Sequence, residues 1–513
     1  MFPYLSVTLF LPLAAVGLIT IIPREDVKTI RRVALFFAIA AFVLSVQIWI
    51  GVVSTGPEEM RQSANTTITP WIEAFNVYYR VGVDGLSAPM VALTALTTLL
   101  ALFYATRTIT TRVKEHVILF LALETCLFGV FMSLDLVMFY VFWVAGIVPL
   151  HLLISVWGSE GREEAAMTFS LYNLLGSAAL LIGILLIYSR PPATFDILAA
   201  AESPPFANTN ELNIARATFL AFFGAFAIRL PLFPFHSWLS DAQTKAPTAG
   251  SVMLAAFLST GVYGLVRIAL PLFPNAFHYF ATAFPILPIL AVVSIIYGAL
   301  VALAQWDLKR LIAYASVAQI GLAVLGVCAA AAGYGGLADQ PTLDAARSGL
   351  TGAAMQAFIH PIVVGGLLLL AGMLYQRAET YDLHAFGGLA RQVPQYYGFT
   401  LVAGLALLSL PGLIGFWGQL LVFKGTVDSM PTYAIVGALG ALFTAGSVLW
   451  KIVQHLFLGD LNENRWGKLP DLAGWEKLTL WPLILAMVAF GVYPALLIDP
   501  FNAALSTLLQ TLP

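Results

Sequence analysis

The chain has 513 residues, of which 60% are hydrophobic and only 10% charged, with a formal net charge of -2 and a mean hydropathy of +0.87. Soluble domains carry about a quarter charged residues, so this balance excludes a water-soluble globular enzyme, a disordered chain and a collagen-like or disulfide-stapled domain. With 25 Lys and Arg against 27 Asp and Glu, no basic field exists to draw in nucleic acid, and none is expected as a partner.

A bilayer core about 30 Å thick takes roughly 20 apolar residues per helix. Windows of that kind fall near residues 3–22, 33–53, 85–105, 115–133, 136–157, 166–188, 214–235, 247–270, 277–303, 310–331, 348–375, 398–422, 432–457 and 478–498, fourteen in all. They predict an all-α membrane protein. The first window reads as a retained helix rather than a signal peptide, because no positive stretch precedes it and no small-residue cleavage site comes before Arg24. The longest loops, around 54–84, 189–213 and 458–476, carry no nucleotide fingerprint. Cys126 and Cys328 sit in apolar runs without CxxC spacing, which makes them packing residues and not metal ligands. The Gly333 to Gly336 stretch is a loop and no phosphate cradle, and no redox cofactor, metal or nucleophilic-triad site is evident in this chain.

Orientation follows from the basic residues. With the N-terminus outside, inner loops hold sixteen Lys and Arg and outer loops seven, while Arg229 and Lys451 fall inside windows. The bias puts both termini on the periplasmic side of a bacterial inner membrane.

Window seven ends in Arg229-Leu-Pro-Leu-Phe-Pro-Phe-His-Ser-Trp238, where Pro231 and Pro234 remove amide donors, so that helix must break. Window twelve contains Ser409-Leu-Pro-Gly-Leu-Ile-Gly-Phe416, a second interruption five windows later. Transport proteins built from inverted repeats place discontinuous helices at corresponding positions, where the open backbone lines a cavity. Two packing kinks would look the same taken singly; their spacing favours the repeat.

Several stretches then carry a close resemblance: Val81-Gly-Val-Asp-Gly-Leu-Ser87, Leu134-Asp-Leu-Val-Met-Phe-Tyr-Val-Phe-Trp143, Phe233-Pro-Phe-His-Ser-Trp-Leu239, Ala246-Pro-Thr-Ala-Gly-Ser251, Asp307-Leu-Lys-Arg-Leu-Ile-Ala-Tyr-Ala-Ser316 and Leu410-Pro-Gly-Leu-Ile-Gly-Phe416. Together they resemble the antiporter-like M subunits of bacterial respiratory complex I, the NADH:quinone oxidoreductase, which group with Mrp-type cation/proton antiporter subunits. The resemblance runs in order from about residue 81 to 457. It implies fourteen helices and two inverted five-helix units, each with a broken helix. The expected organisation is 1–113 as an N-terminal three-helix segment, 114–271 as the first repeat, 272–457 as the second, and 458–513 as a C-terminal helix region. It further implies a proton path along a central line of ionisable residues. NADH, flavin, iron–sulfur clusters and quinone would belong to partner subunits, with antiporter-like neighbours and lipids around this chain.

The charges that the resemblance leads one to expect are largely replaced. The fifth-helix glutamate falls on Val144 and the seventh-helix lysine on Arg229. Guanidinium holds its proton too firmly to pass it on. The eighth-helix lysine falls on Ser259 or Thr260, a tenth-helix histidine on Gln319, and the twelfth-helix glutamate on Gln419. Hydroxyls and amides support a water wire but cannot take up its charge. The substitutions point one way: pumping chemistry lost or rerouted on a retained scaffold.

Ionisable groups inside spans are costly and thus functional suspects. Proton-path candidates are Glu124, Arg229, Lys309, His360 and Lys451. Against each stands a plainer role. Glu124 would be capped by a neighbour such as Thr125; Lys309, with Asp307 and Arg310, would cap or snorkel at a helix end; His360, ahead of Pro361, would be a satisfied core histidine. Lys451 and His455 are spaced i, i+4 and share a face. His151 reads as hydrogen-bonded structure, and Lys424 as an interfacial anchor. Two other functions fit the scaffold: the membrane partner of an inorganic-carbon uptake complex with a carbonic-anhydrase-like protein, or a non-conducting structural paralogue.

Overall fold

The computed structural model describes residues 4–54, 67–191, 193–206, 212–334 and 339–512. In lipid every backbone amide and carbonyl must be satisfied within the segment, so apolar windows of this length become helices. Among the described residues, thirteen helices are long and apolar enough to cross a bilayer. They are α1 (Tyr4–Ile21), α2 (Val27–Ser54), α3 (Ser87–Thr108), α4 (Val113–Met132), α5 (Leu136–Trp157), α6 (Arg162–Tyr188), α7a (Leu212–Arg229), α8 (Thr248–Leu272), α9 (Ile286–Ala304), α10 (Leu308–Ala332), α11 (Gln340–Ala378), α13 (Pro431–Phe457) and α14 (Gly474–Val492). The one remaining window, the twelfth, is split into α12a (Pro394–Leu407) and α12b (Ile414–Ser429), each too short to span alone. Beyond α7a the chain resumes as α7b (Ser237–Lys245). Both breaks fall on the Pro/Gly interruptions in the sequence.

Three features were not foreshadowed by the hydropathy windows. The loop before α3 carries an antiparallel hairpin, β1 (Thr67–Ile72) with β2 (Val77–Val81). A final helix, α15 (Ala495–Thr511), follows α14 after Pro494. Finally, α5 is interrupted at Gly146, between Leu136–Ala145 and Ile147–Trp157.

The features of α4–α8 recur five helices later. Breaks occur in α7 and α12. Segments of π-helix occur in α8 (Leu265–Ala269) and α13 (Ser447–Phe457); such bulges cost helix geometry and mark places where a sequence departs from regular packing. A third pair is a clasp. At the start of α5, the Leu136 amide donates to the Phe195 carbonyl at 2.8 Å and the Ile197 amide to the Leu134 carbonyl at 3.0 Å. At the start of α10, the Leu308 amide donates to the Tyr381 carbonyl at 2.9 Å and the Leu383 amide to the Trp306 carbonyl at 2.8 Å. In each clasp an aspartate on either strand, Asp135 with Asp196 and Asp307 with Asp382, accepts amides of the helical turn that follows it.

Helices α8 and α11, whose apolar windows are wholly buried, lie side by side at the centre. Small residues permit this density. A Cβ on Gly326 of α10 would stand 2.5 Å from the Gly349 carbonyl of α11, and one on Gly425 of α12b would stand 2.5 Å from the Gly349 amide. Three backbones therefore meet where no side chain separates them, and dispersion and close packing stand in for a hydrophobic force that lipid cannot supply.

Candidate functional site

The α7 break sets the position of Arg229. Past Arg229 the helical ladder stops, and the carbonyl of Ile228 instead accepts the Trp238 indole N–H at 3.0 Å. Ser294 of α9 accepts the Phe233 amide at 2.8 Å. The side chain of Arg229 is 1% exposed and is turned into the first half of the bundle. Its Nε donates to Asn173 Oδ1 at 2.9 Å, one terminal nitrogen to the Trp143 carbonyl at 3.1 Å and the other to Thr260 Oγ1 at 3.4 Å. The guanidinium lies between the rings of Trp143, at 3.6 Å, and Phe257, at 3.7 Å. Among the described residues no carboxylate pairs with it. An amide, a carbonyl, a hydroxyl and two π faces together hold the charge.

Asn173 is fixed from behind, since its own Nδ2 donates to the Phe169 carbonyl at 2.9 Å. Val144 is half-buried on α5, directly after the residue whose carbonyl receives Arg229. The two hydroxyls in place of the eighth-helix lysine are both committed. Ser259 Oγ donates across to the Ala357 carbonyl of α11 at 2.7 Å, and Thr260 Oγ1 donates to the Phe257 carbonyl at 2.6 Å.

Glu124 of α4 is fully buried, and among the described residues neither carboxyl oxygen has a hydrogen-bond partner. Thr125 does not cap it: that hydroxyl donates to the Leu121 carbonyl at 3.2 Å. The plain reading of Glu124 as a capped carboxylate is therefore replaced by an isolated one.

At the junction of the two halves, Ser259, Gln319, Gln356 and His360 line one small cavity. It leaves about 10 Å³ for the centre of a water, room for one molecule. His360 is 5% exposed, and among the described residues neither of its ring nitrogens nor the Gln356 amide nitrogen has a hydrogen-bond partner. The expectation that His360 is satisfied by its surroundings is not met by protein groups. Gln319 donates to the Leu407 carbonyl at 3.0 Å, one freed by the α12 break. Gln419 is half-buried on α12b.

The two lysines sit apart from that cavity. Lys309 is buried and donates to the carbonyls of Thr244, at 3.2 Å, and Ala246, at 2.6 Å, closing the C-terminus of α7b. Lys451 is 2% exposed, with its ammonium 2.9 Å from the Trp306 ring centre and 4.8 Å from that of Trp450. His455 meets the same Trp306 ring edge-on at 5.1 Å, so the i, i+4 pair does share a face. His151 Nδ1 is hydrogen-bonded to Ser170 Oγ at 2.8 Å and to the Ala166 carbonyl at 3.1 Å. Both cysteines are buried free thiols.

Asn173, Gln356 and Trp306 were not among the sequence candidates. A polar amide in the middle of an apolar window is a visible signal for the first two. Nothing in linear spacing links Asn173 to Arg229, which lies 56 positions away, or Trp306 to Lys451. Arg267 counts among the seven outer basic residues and Arg377 among the sixteen inner ones. Both are inside the ends of long helices, paired respectively with Asp84 and with the buried Glu476.

The site and fold define a class. Residues 133–444 match the family model described as NADH:quinone oxidoreductase/Mrp antiporter, TM, and the chain belongs to that family. It is 34% identical over 518 residues to NADH-quinone oxidoreductase subunit M of Rhodobacter capsulatus, covering 99% of this chain and 96% of that protein. It is 33% identical over 513 residues to the subunit M of Rickettsia bellii (strain RML369-C), covering 99% and 98%. Among solved structures it resembles a chain of respiratory complex I from Thermus thermophilus with bound NADH, at TM-score 0.85 and 30% identity, covering 98% of this chain and 99% of that one.

Proposed function

We propose that this chain is the M-type, antiporter-like subunit in the membrane arm of a complex I-like NADH:quinone oxidoreductase, and that the central proton relay of its first half does not operate. Full-length similarity to subunit M proteins supports the first part. The neutral cage of Arg229 carries the second. A relay residue must take up and release a proton; Arg229 holds its charge against partners that can neither receive a proton nor follow it. A proton passing about 8 Å from this fixed cation meets a barrier of about 2 kcal/mol at an effective dielectric of about 20. No lysine or glutamate stands at Val144, Ser259, Thr260 or Gln419 to offset it.

The remaining candidates fit this reading. Lys309 serves as a helix cap, and Lys451 is held on an indole. Glu124 and His360 are the groups through which a rerouted path would have to run. The recurrence of clasp, break and π-helix supports two inverted units, at 114–271 and 272–457. Partner membrane subunits, antiporter-like neighbours among them, flank the chain in a bacterial inner membrane with both termini periplasmic. NADH, flavin, iron–sulfur clusters and quinone are handled by those partners.

The test is proton translocation per electron in vesicles carrying the whole complex. Glu124→Gln is expected to leave the ratio unchanged; a large drop would show a live path rerouted through Glu124. The co-purified subunits test the setting. Quinone-oxidoreductase subunits are expected, and a carbonic-anhydrase-like partner in their place would overturn it.

A further inference from the structure

We propose that a cavity on the face of the bundle carrying both chain ends is a binding site for a phospholipid headgroup with a primary ammonium group. The cavity, open to the surface, has a volume of about 190 Å³ and lies between the 82–85 loop, the short helix Ile197–Glu202, the outer end of α8 and α15. Its walls are mostly apolar, with Leu134, Ile197, Leu198, Ala201, Ala504 and Leu508 among them. Such walls suit the glycerol and upper acyl region of an amphiphile.

Three charged side chains line the same space: Arg267, Asp84 and Glu202. Arg267 is 9% exposed and pairs with Asp84 through one terminal nitrogen, while its Nε–H has no acceptor among the described residues. That Nε is sealed from the cavity; the other terminal nitrogen, which makes no hydrogen bond among the described residues, is the Arg267 group that a ligand oxygen can reach. Asp84 already cancels the Arg267 charge. Glu202 is exposed and makes no ion pair among the described residues, which leaves the cavity one negative charge. Free phosphate or an anionic lipid would therefore meet net repulsion. A head with both a phosphate, for the free terminal nitrogen of Arg267, and an ammonium, for Glu202, matches both groups.

The experiment uses the full chain extracted with whatever subunits accompany it, stripped of lipid in detergent. Hydrogen exchange of α15 and of the 82–86 segment is then followed during titration with dioleoylphosphatidylethanolamine, dioleoylphosphatidylglycerol or inorganic phosphate. The ethanolamine lipid is expected to protect both segments, the glycerol lipid about tenfold more weakly, and inorganic phosphate not at all. Ala504→Trp, which fills the cavity, is expected to abolish protection and the retention of the ethanolamine lipid in native mass spectrometry. Glu202→Gln is expected to erase the preference between the two lipids. Equal protection by inorganic phosphate, or unchanged lipid retention in Ala504→Trp, would overturn the proposal.

Discussion

Arg229 touches Trp143 twice: its guanidinium carbon lies 3.6 Å from the indole centre, and a terminal nitrogen donates to the Trp143 carbonyl at 3.1 Å. Both contacts fall on α5 one residue before Val144, so the cation is anchored to the backbone at the place where a partner carboxylate would stand.

That anchoring predicts an inert charge. Arg229→Met, which keeps the aromatic slot filled, is expected to leave protons per electron unchanged in reconstituted vesicles. Restoring the pair alone, with Val144→Glu and Arg229→Lys together, is also expected to leave the ratio unchanged. Ser259, Thr260 and Gln419 would still supply no further station. A rise in the double variant would mean that the rest of the path is intact.

Glu124 makes a stability prediction. Its carboxyl is buried without a partner among the described residues, a situation that costs about 1–3 kcal/mol. Glu124→Leu should therefore raise the unfolding free energy by about that amount, read as an upward shift in the thermal transition of the detergent-solubilised protein. A loss of stability would reveal a partner that the structure does not contain.

Lys309 should behave as a cap. Removing its two charge-assisted bonds with Lys309→Met is expected to cost about 1.5–3 kcal/mol for a charged donor. Amide exchange in α7b, Ser237–Lys245, should quicken while the proton ratio stays the same. A changed ratio with unchanged exchange would make it a relay residue.

Asp84 lies just outside α3 and gives a pH dependence. Burial pushes its carboxyl up, but the Arg267 charge and the amides of Ser87 and Leu86 outweigh this and hold it below the usual carboxylate range. A carboxyl lowered on folding adds stability above its unfolded pKa, and that stability is lost as pH falls through the folded value. Unfolding profiles taken from pH 7 downward should show this loss in the native protein. Asp84→Asn should lack it and, by leaving Arg267 buried without its counter-ion, should cost about 3–5 kcal/mol at pH 7.

Much of the architecture was legible because lipid allows few backbone solutions. Apolar windows found the spans, and Pro231, Pro234 and Pro411 found both breaks. The hairpin β1–β2 and helix α15 lay outside the windows because neither crosses the apolar core as a long run. The site was half legible. Intramembrane charges announced Glu124, Arg229 and Lys451, but their partners could not be inferred. Asn173 and Trp306 carry no charge to betray a role, and Lys309 differs from a snorkelling lysine only through where α7b happens to end. Arg267 was counted with the outer basic residues because a charge near a span end looks like a loop residue until its counter-ion is seen.

The duplicated clasps carry one last consequence. In the orientation proposed here, Asp135 and Asp307 tie the same knot in two different solutions, one on the acidic and one on the alkaline side of an energised membrane. The Asp135 carboxyl is already pushed up by burial, so it is the knot facing the acid that stands nearer to protonation. A protein made of one motif used twice is thereby not symmetric in service: the bathing fluids, not the fold, tell its two ends apart.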